Sequence, residues 1–172
     1  VNTTSRRLAL MRHAKAVPSA PEDHARDLTS SGRESAREVG EWLVSSGFRP
    51  GRALVSDAAR TSATWEEVSG AAGYDCPADV TQALYTAEPD TALDLIRAVD
   101  DEVTTLIVVG HNPTISFLAQ LLDSGDGDPA AGASMMIGFP PASVALFDFD
   151  GAWADLAPTG ATLTEFRPAV RE

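Results

Sequence analysis

The chain is 172 residues long, 44% hydrophobic and 22% charged, which suits one globular domain over residues 1–172 and argues against disorder. Its 13 basic and 25 acidic residues leave a net charge of −12, which repels polyanions at long range and speaks against nucleic acid or an anionic membrane surface as partner. Cys76 is the single cysteine, so an internal disulfide and a cysteine-based metal cluster are excluded, and no apolar run approaches the roughly 20 residues of a membrane span.

Val1 to Arg7 is polar, lacks the apolar centre of a secretory signal and reads as a loose lead-in, so a cytoplasmic protein is expected. Leu8 to Met11 has strand length and apolar character, and it stops at Arg12 and His13 before Pro18 and Pro21 break any continuation. In open α/β sheets the carboxyl end of a strand is where ligands bind. Ala14 to Leu28 reads as a loop carrying His24, Arg26 and Asp27. Ser31 and Glu34 have capping-box spacing, and Val39, Trp42 and Leu43 recur at helical intervals until Gly47 offers a stop.

Ala53 to Ser56 follows Pro50 and Gly51 as a second strand, after which the Ser56-Asp57 pair offers a cap for a helix over Ala58 to Ala72. Arg60 falls in its first turn. A cation is out of place there unless an anion lies nearby, because free N–H groups and the helix dipole already favour negative charge. Val80 to Leu84 reads as a third, weaker strand. Pro89 then suits the first position of a helix supported by Leu93, Ile96 and Val99 and running to Asp100.

Thr104 to Val109 is a β-branched run with the character of a buried strand, ending in Gly110-His111-Asn112-Pro113. Asn112 is a natural N-cap and Pro113 a natural first residue for a helix through Leu122, so His111 has the same strand-end position as His13. Asp123 to Gly138, rich in Gly, Asp and Ala, reads as a mobile loop whose Asp123, Asp126 and Asp128 do not have calcium-loop spacing. Ser143 to Phe149 and Ala161 to Phe166 alternate like half-exposed strands and are expected to add antiparallel edge strands. Trp42, Trp65 and Trp153 are assigned to the core. The alternation of strands and helices predicts an α/β fold with a mostly parallel central sheet.

That topology brings two imidazoles and two guanidiniums to one sheet edge. Guanidinium forks match phosphate oxygens, which makes Arg12 and Arg60 candidate clamps. His13, with one ring nitrogen held by a backbone carbonyl and the other free, is a candidate nucleophile toward phosphorus. His111 is then a candidate donor to the equatorial oxygens of the transition state. The same cations repel a metal ion, and His24 as a third ligand does not rescue such a site, so no metal or other cofactor is expected.

Leu-Met-Arg-His-Ala resembles the Arg-His-Gly signature of the histidine phosphatase (phosphoglycerate-mutase-like) superfamily. Arg26 to Gly32 resembles its Arg-Pro-Leu-Thr-x-x-Gly segment, Val55 to Thr64 its Ser-Ser-Pro-x-x-Arg-x-x-x-Thr segment, and Val109 to Pro113 its second-histidine segment, with a closing Phe166-Arg167-Pro168. The short length and the Gly-His-Asn-Pro form are similar to SixA-type phosphohistidine phosphatases. The resemblance implies a three-layer α/β/α sandwich, His13 as phospho-acceptor, Arg12, Arg60 and His111 as the rest of the phosphate pocket with Arg26 contributing, and no metal. Three residues depart from the pattern: Ala14 replaces Gly, while Asp27 and Asp57 each replace Pro, and Asp57 is near enough in sequence to pair with Arg60 or repel phosphate.

Superfamily members that cleave sugar or alcohol phosphates use a carboxylic acid to protonate the leaving oxygen, and Glu88 is the candidate here, although it also reads as a helix-start residue. The weakness of that candidate favours protein phosphohistidine, whose imidazole leaves more readily than an alkoxide. Two alternatives remain: a phosphomonoesterase acting on a small metabolite with Glu88 as acid, and a non-catalytic phosphate-binding interaction module. No association motif is apparent, so a monomer is expected.

Overall fold

The computed structural model describes residues 4–168. Of the expected loose lead-in, Val1 to Thr3 lie outside the described residues, and Ser5 to Arg7 belong to the first strand, β1 (Ser5–Arg12). The strand reaches back into polar sequence because Arg6 is neutralised where it is buried. Its guanidinium donates to the main-chain oxygens of Gly151 and Asp101 and lies over the Trp153 ring.

Five further strands complete one sheet: β2 (Arg52–Ser56), β3 (Ala78–Thr81), β4 (Thr105–Gly110), β5 (Val144–Asp150) and β6 (Thr162–Arg167). Their order is β3-β2-β4-β1-β5-β6. The first four are parallel, β5 runs antiparallel to β1, and β6 antiparallel to β5. Alternate strand residues feed two cores. Ala9, Met11, Val55 and Val109 pack on one face with Val39 and Leu43 of α1 (Ser30–Ser45) and Val68 of α2 (Ala59–Ala72). Leu8, Leu10, Leu106 and Val108 pack on the other face with α3 (Gln82–Tyr85), α4 (Pro89–Arg97), α5 (Thr114–Leu122) and α6 (Pro129–Ile137). This is a three-layer α/β/α sandwich, and because both faces are covered its inner strands are apolar almost throughout. No described helix is long and apolar enough to cross a membrane.

Several local expectations are corrected. The cap of α1 is Thr29, whose hydroxyl accepts from Gly32 N–H at 3.0 Å, and not the Ser31 to Glu34 box. Helix α2 has Ala58 at its cap position with no side-chain cap, since Ser56 and Asp57 are engaged elsewhere. The predicted strand Val80 to Leu84 divides at Thr81, whose hydroxyl accepts from Ala83 N–H at 3.1 Å and starts the single turn α3. Helix α4 stops at Arg97, short of Asp100. The predicted loop Asp123 to Gly138 contains α6, started by Asp128 accepting from Ala131 N–H at 2.8 Å and by Pro129 at its first position. Strand β5 is buried on both faces over its first half, with Ala145 and Phe147 in one core and Val144 and Leu146 in the other, and β6 lies outside it as the edge strand. Trp65 and Trp153 are buried, and Trp42 packs half-buried against the α1/α2 side. Gly47 ends α1 in a left-handed conformation, φ 69°, as a helix-stopping glycine should.

Gly32 fixes how closely α1 approaches the segment after β1. A Cβ there would stand 2.2 Å from the Lys15 main-chain oxygen, which also accepts from Thr29 N–H at 3.0 Å. Gly32→Ala must therefore force the two segments apart and is expected to destabilise the fold by about 1–3 kcal/mol. Chemical denaturation measures this, and unchanged stability would show that the contact yields freely.

Candidate active site

The parallel register of β1 and β4 pairs Arg12 with Gly110, so the residues that follow, His13 and His111, leave the sheet side by side. His13 N–H donates to Gly110 O at 3.0 Å, and the two imidazole centroids are 5.4 Å apart. His13 Nδ1 lies 2.7 Å from its neighbour's carbonyl, Ala14 O. A carbonyl can only accept, so Nδ1 carries the proton and Nε2 keeps a free lone pair. Burial pushes the His13 pKa down to about 4, outweighing the carbonyl bond, and the charges of Arg12, Arg60 and Arg26 act in the same direction.

His111 is pushed to about 3 by burial first, then by Arg60 and His13. Its Nε2 lies 2.7 Å from Ser56 Oγ, which also accepts weakly from Ala58 N–H at 3.4 Å. When the Ser56 hydroxyl donates to Nε2, the ring's own proton sits on Nδ1. His111 Nδ1, Arg12 Nε and Arg60 Nε are buried donor positions without a hydrogen-bond partner among the described residues. Such donors favour an anion.

The arginines are held by one edge each. Arg12 donates to Phe139 O at 3.1 Å, and the same oxygen accepts from the Asn112 amide at 2.8 Å. Asn112 thus ties the end of β4 to the chain after α6, while its Oδ1 accepts from Ser116 N–H at 3.2 Å; the formal cap of α5 is Pro113. Arg60 donates to Asp23 O at 2.9 Å and to Asp23 Oδ2 at 3.1 Å. Thr64, one turn after Arg60, donates to Arg60 O at 2.6 Å and accepts from Ala14 N–H at 3.0 Å, joining α2 to the loop that holds His13. Arg26 donates to Val17 O at 2.8 Å and to Asp23 Oδ1 at 3.0 Å.

Structure and expectation part company at the other candidates. Glu88 is exposed at the start of α4 and makes no side-chain cap bond. Asp57 pairs with His24 Nε2 at 2.9 Å and not with Arg60, whose carboxylate partner is Asp23. Asp27 is held at 2.9 Å by Arg33 of α1. Ala14 is fully buried and has no left-handed backbone, so it fills the usual glycine's place without strain.

Ser56 and Thr64 stood inside the recognised segments without an assigned part. Asp23 and Tyr85 carried no sequence signal at all. Tyr85 donates to Asp23 Oδ2 at 2.6 Å, stands edge-on to His111 with centroids 5.4 Å apart, and lies under the Arg60 guanidinium. The bonds from Tyr85, Arg26 and Arg60 hold the Asp23 carboxyl well below the usual carboxylate range. A pocket of about 510 Å³ shares Arg12 with the site and is otherwise lined by Ser134, Ile137, Gly138, Phe139, Pro140 and Pro168. Taken together, a neutral imidazole with a free Nε2, two guanidiniums and a second neutral imidazole are equipped to hold a tetrahedral oxyanion beside a nucleophile.

No protein-family model matches the chain. An uncharacterised Mycobacterium tuberculosis protein is 40% identical over 158 residues, covering 91% of this chain and 98% of that one. The Escherichia coli phosphohistidine phosphatase SixA is 31% identical over 123 residues, 70% of this chain and 76% of its own length. Among solved structures, a Nakamurella multipartitia protein assigned by name to the SixA phosphohistidine phosphatases superimposes with a TM-score of 0.84 at 35% identity, covering 97% of this chain and 98% of that one. With sequence and fold agreeing over most of its length, the chain belongs to the SixA family of the histidine phosphatase superfamily.

Proposed function

We propose that the chain is a phosphatase that works through a covalent phosphohistidine on His13 and acts on protein phosphohistidine. The observation that carries this reading is the His13 ring itself, buried and neutral, with Nδ1–H locked to the Ala14 carbonyl and Nε2 free beside two guanidiniums. A site that only binds phosphate needs donors and has no use for such a lone pair.

In the first step Nε2 attacks phosphorus, a P–N bond forms to His13, and the bond to the leaving atom breaks with its electron pair. Arg12, Arg60 and His111 Nδ1–H hold the equatorial oxygens, where charge concentrates. In the second step water attacks the phosphohistidine, the P–Nε2 bond breaks with its pair returning to the ring, and the proton lost by water stays with the released phosphate. The positive charge that a metal would bring is supplied by the guanidiniums.

The choice of a phosphorus–nitrogen substrate rests on the leaving group. General acid catalysis is worth about 10²–10⁴ in rate, roughly 3–5 kcal/mol, and an alkoxide leaves poorly without it. Glu88 is open to solvent with no bond that would aim it, and Asp23 is held ionised, so neither carboxyl is built in as a proton donor. A phosphoimidazole protonated on its distal nitrogen needs none, since it departs as a neutral ring. The name of the Escherichia coli relative supports the same substrate class, and the pocket beside Arg12 leaves room for a protein side chain.

Mixed with a small phosphoramidate and quenched rapidly, the protein is expected to carry an acid-labile, base-stable phosphate that is lost in His13→Ala. Phosphate release without any label, or label persisting in the variant, would remove the covalent route. A second expectation concerns charge. Because the folded state holds His13 near 4 against 6.5 when free, the ring's NMR titration should centre near 4. The neutral form is the one favoured by folding, so its contribution to stability is complete above 6.5 and declines as pH falls toward 4. A midpoint near 6.5 would mean that the ring is solvated.

A further inference from the structure

We infer that Asp23 selects the leaving group: its carboxylate, clamped by Arg60, Arg26 and Tyr85 at the rim of the phosphate-binding cluster, favours a departing group with positive charge and repels one with negative charge. The inference rests on the phosphatase reading above and narrows its substrates to phosphoryl groups carried on protonated ring nitrogens.

Both carboxylate oxygens are engaged, Oδ1 by Arg26 at 3.0 Å and Oδ2 by Arg60 at 3.1 Å and Tyr85 at 2.6 Å, which fixes the group on two guanidiniums whose charges both act on His13. The side chain is nevertheless 54% exposed, so the charge is presented to what approaches from solvent. Its field reaches His111, whose proton affinity it raises, which places Asp23 electrically within the same site. The groups around it are Arg26 on its own loop, Arg60 on α2, Tyr85 on α3, and the adjacent His24 with its partner Asp57. Arg60 is also held through the main-chain oxygen of Asp23, so positioning that guanidinium does not depend on the carboxylate alone.

A dianionic phosphoryl group needs the arginines, whereas the group behind it meets Asp23. In a phosphohistidine protonated on the distal ring nitrogen, that N–H donates to the carboxylate, which stabilises the protonated form. When His13 Nε2 takes the phosphoryl group, the P–N electron pair collapses onto the departing nitrogen, and the distal proton stays where it was. The ring leaves neutral, and no proton is transferred. A departing group bearing a carboxylate, as in small acidic metabolites, meets a like charge instead.

The test compares kcat/KM for a phosphohistidine peptide, phenyl phosphate and 4-carboxyphenyl phosphate in the wild type, Asp23→Asn and Asp23→Glu. Asp23→Asn is expected to lower the phosphohistidine-to-phenyl ratio about tenfold and to raise the carboxyphenyl-to-phenyl ratio, with Asp23→Glu restoring both toward wild type. A purely structural role changes all three substrates by one factor, and unchanged ratios would overturn the inference. Absence of any wild-type preference for phosphohistidine would count against the proposed substrate and not against Asp23. In that case the carboxyphenyl-to-phenyl ratio decides alone, its rise in Asp23→Asn sustaining charge selection and its constancy refuting it.

Discussion

Everything at the site depends on the parallel register that sets Arg12 of β1 opposite Gly110 of β4. Neighbouring parallel strands end at the same sheet edge, so a residue placed just past each end becomes a neighbour of the other without any loop having to reach. His13 and His111 are those residues. The bond from His13 N–H to Gly110 O extends the ladder one step beyond the sheet and ties the backbone of the first histidine to the end of β4. Such a tie matters for the proposed role of His13, since a nucleophile must be held at contact distance and in one orientation.

A second layer of contacts supports that junction from both sides. Thr64 hydroxyl joins the first turns of α2 to Ala14, and the close approach of Gly32 seats α1 against Lys15. On the opposite side, Phe139 O gathers Arg12 and Asn112. The recurring residue types of the recognised segments thereby acquire physical reasons. The threonine four residues after Arg60 exists to reach the loop below it, the glycine after the Leu-Thr pair to let a helix touch backbone, and the asparagine after His111 to bind a carbonyl. Burial then adds electrostatics. Two histidines among arginines remain neutral because desolvation and positive neighbours both oppose protonation. In a chain of net charge −12 the cluster gathers positive charge, with Asp23 balancing it at the rim.

The strands that carry the site were legible because each contains a compact apolar run closed by polar residues, and β2, β4 and the carboxyl half of β1 fall where such runs predict. Arg12, His13, Arg60 and His111 were legible for the same reason, as polar residues at the ends of those runs or one turn into the next helix. Helix starts were read less well. Thr29 lies just ahead of the apparent Ser31 to Glu34 box and took the capping bond, and Asp57 resembles a cap but is drawn off by His24. Helix α6 escaped because alanines, glycine and methionines give it little apolar periodicity, although Asp128-Pro129 is a good helix start. These misses share a cause, since the partner that decides each one is remote in sequence or absent from a pattern based on periodicity.

By itself the sequence determined the strands and helices other than α3 and α6, the residues at the strand ends, and a constellation of histidine and arginine suited to phosphate, because hydrophobic periodicity and strand-end polarity are local properties. Only the tertiary structure decided how deeply His13 and His111 are buried, that Asp57 is spoken for, and that Asp23 and Tyr85 reach the cluster. Such pairings are made by atoms that meet across 33 residues for His24 and Asp57 and 62 for Asp23 and Tyr85. No pattern of neighbours along the chain encodes such meetings, and they come into being when the sheet brings its strand ends together.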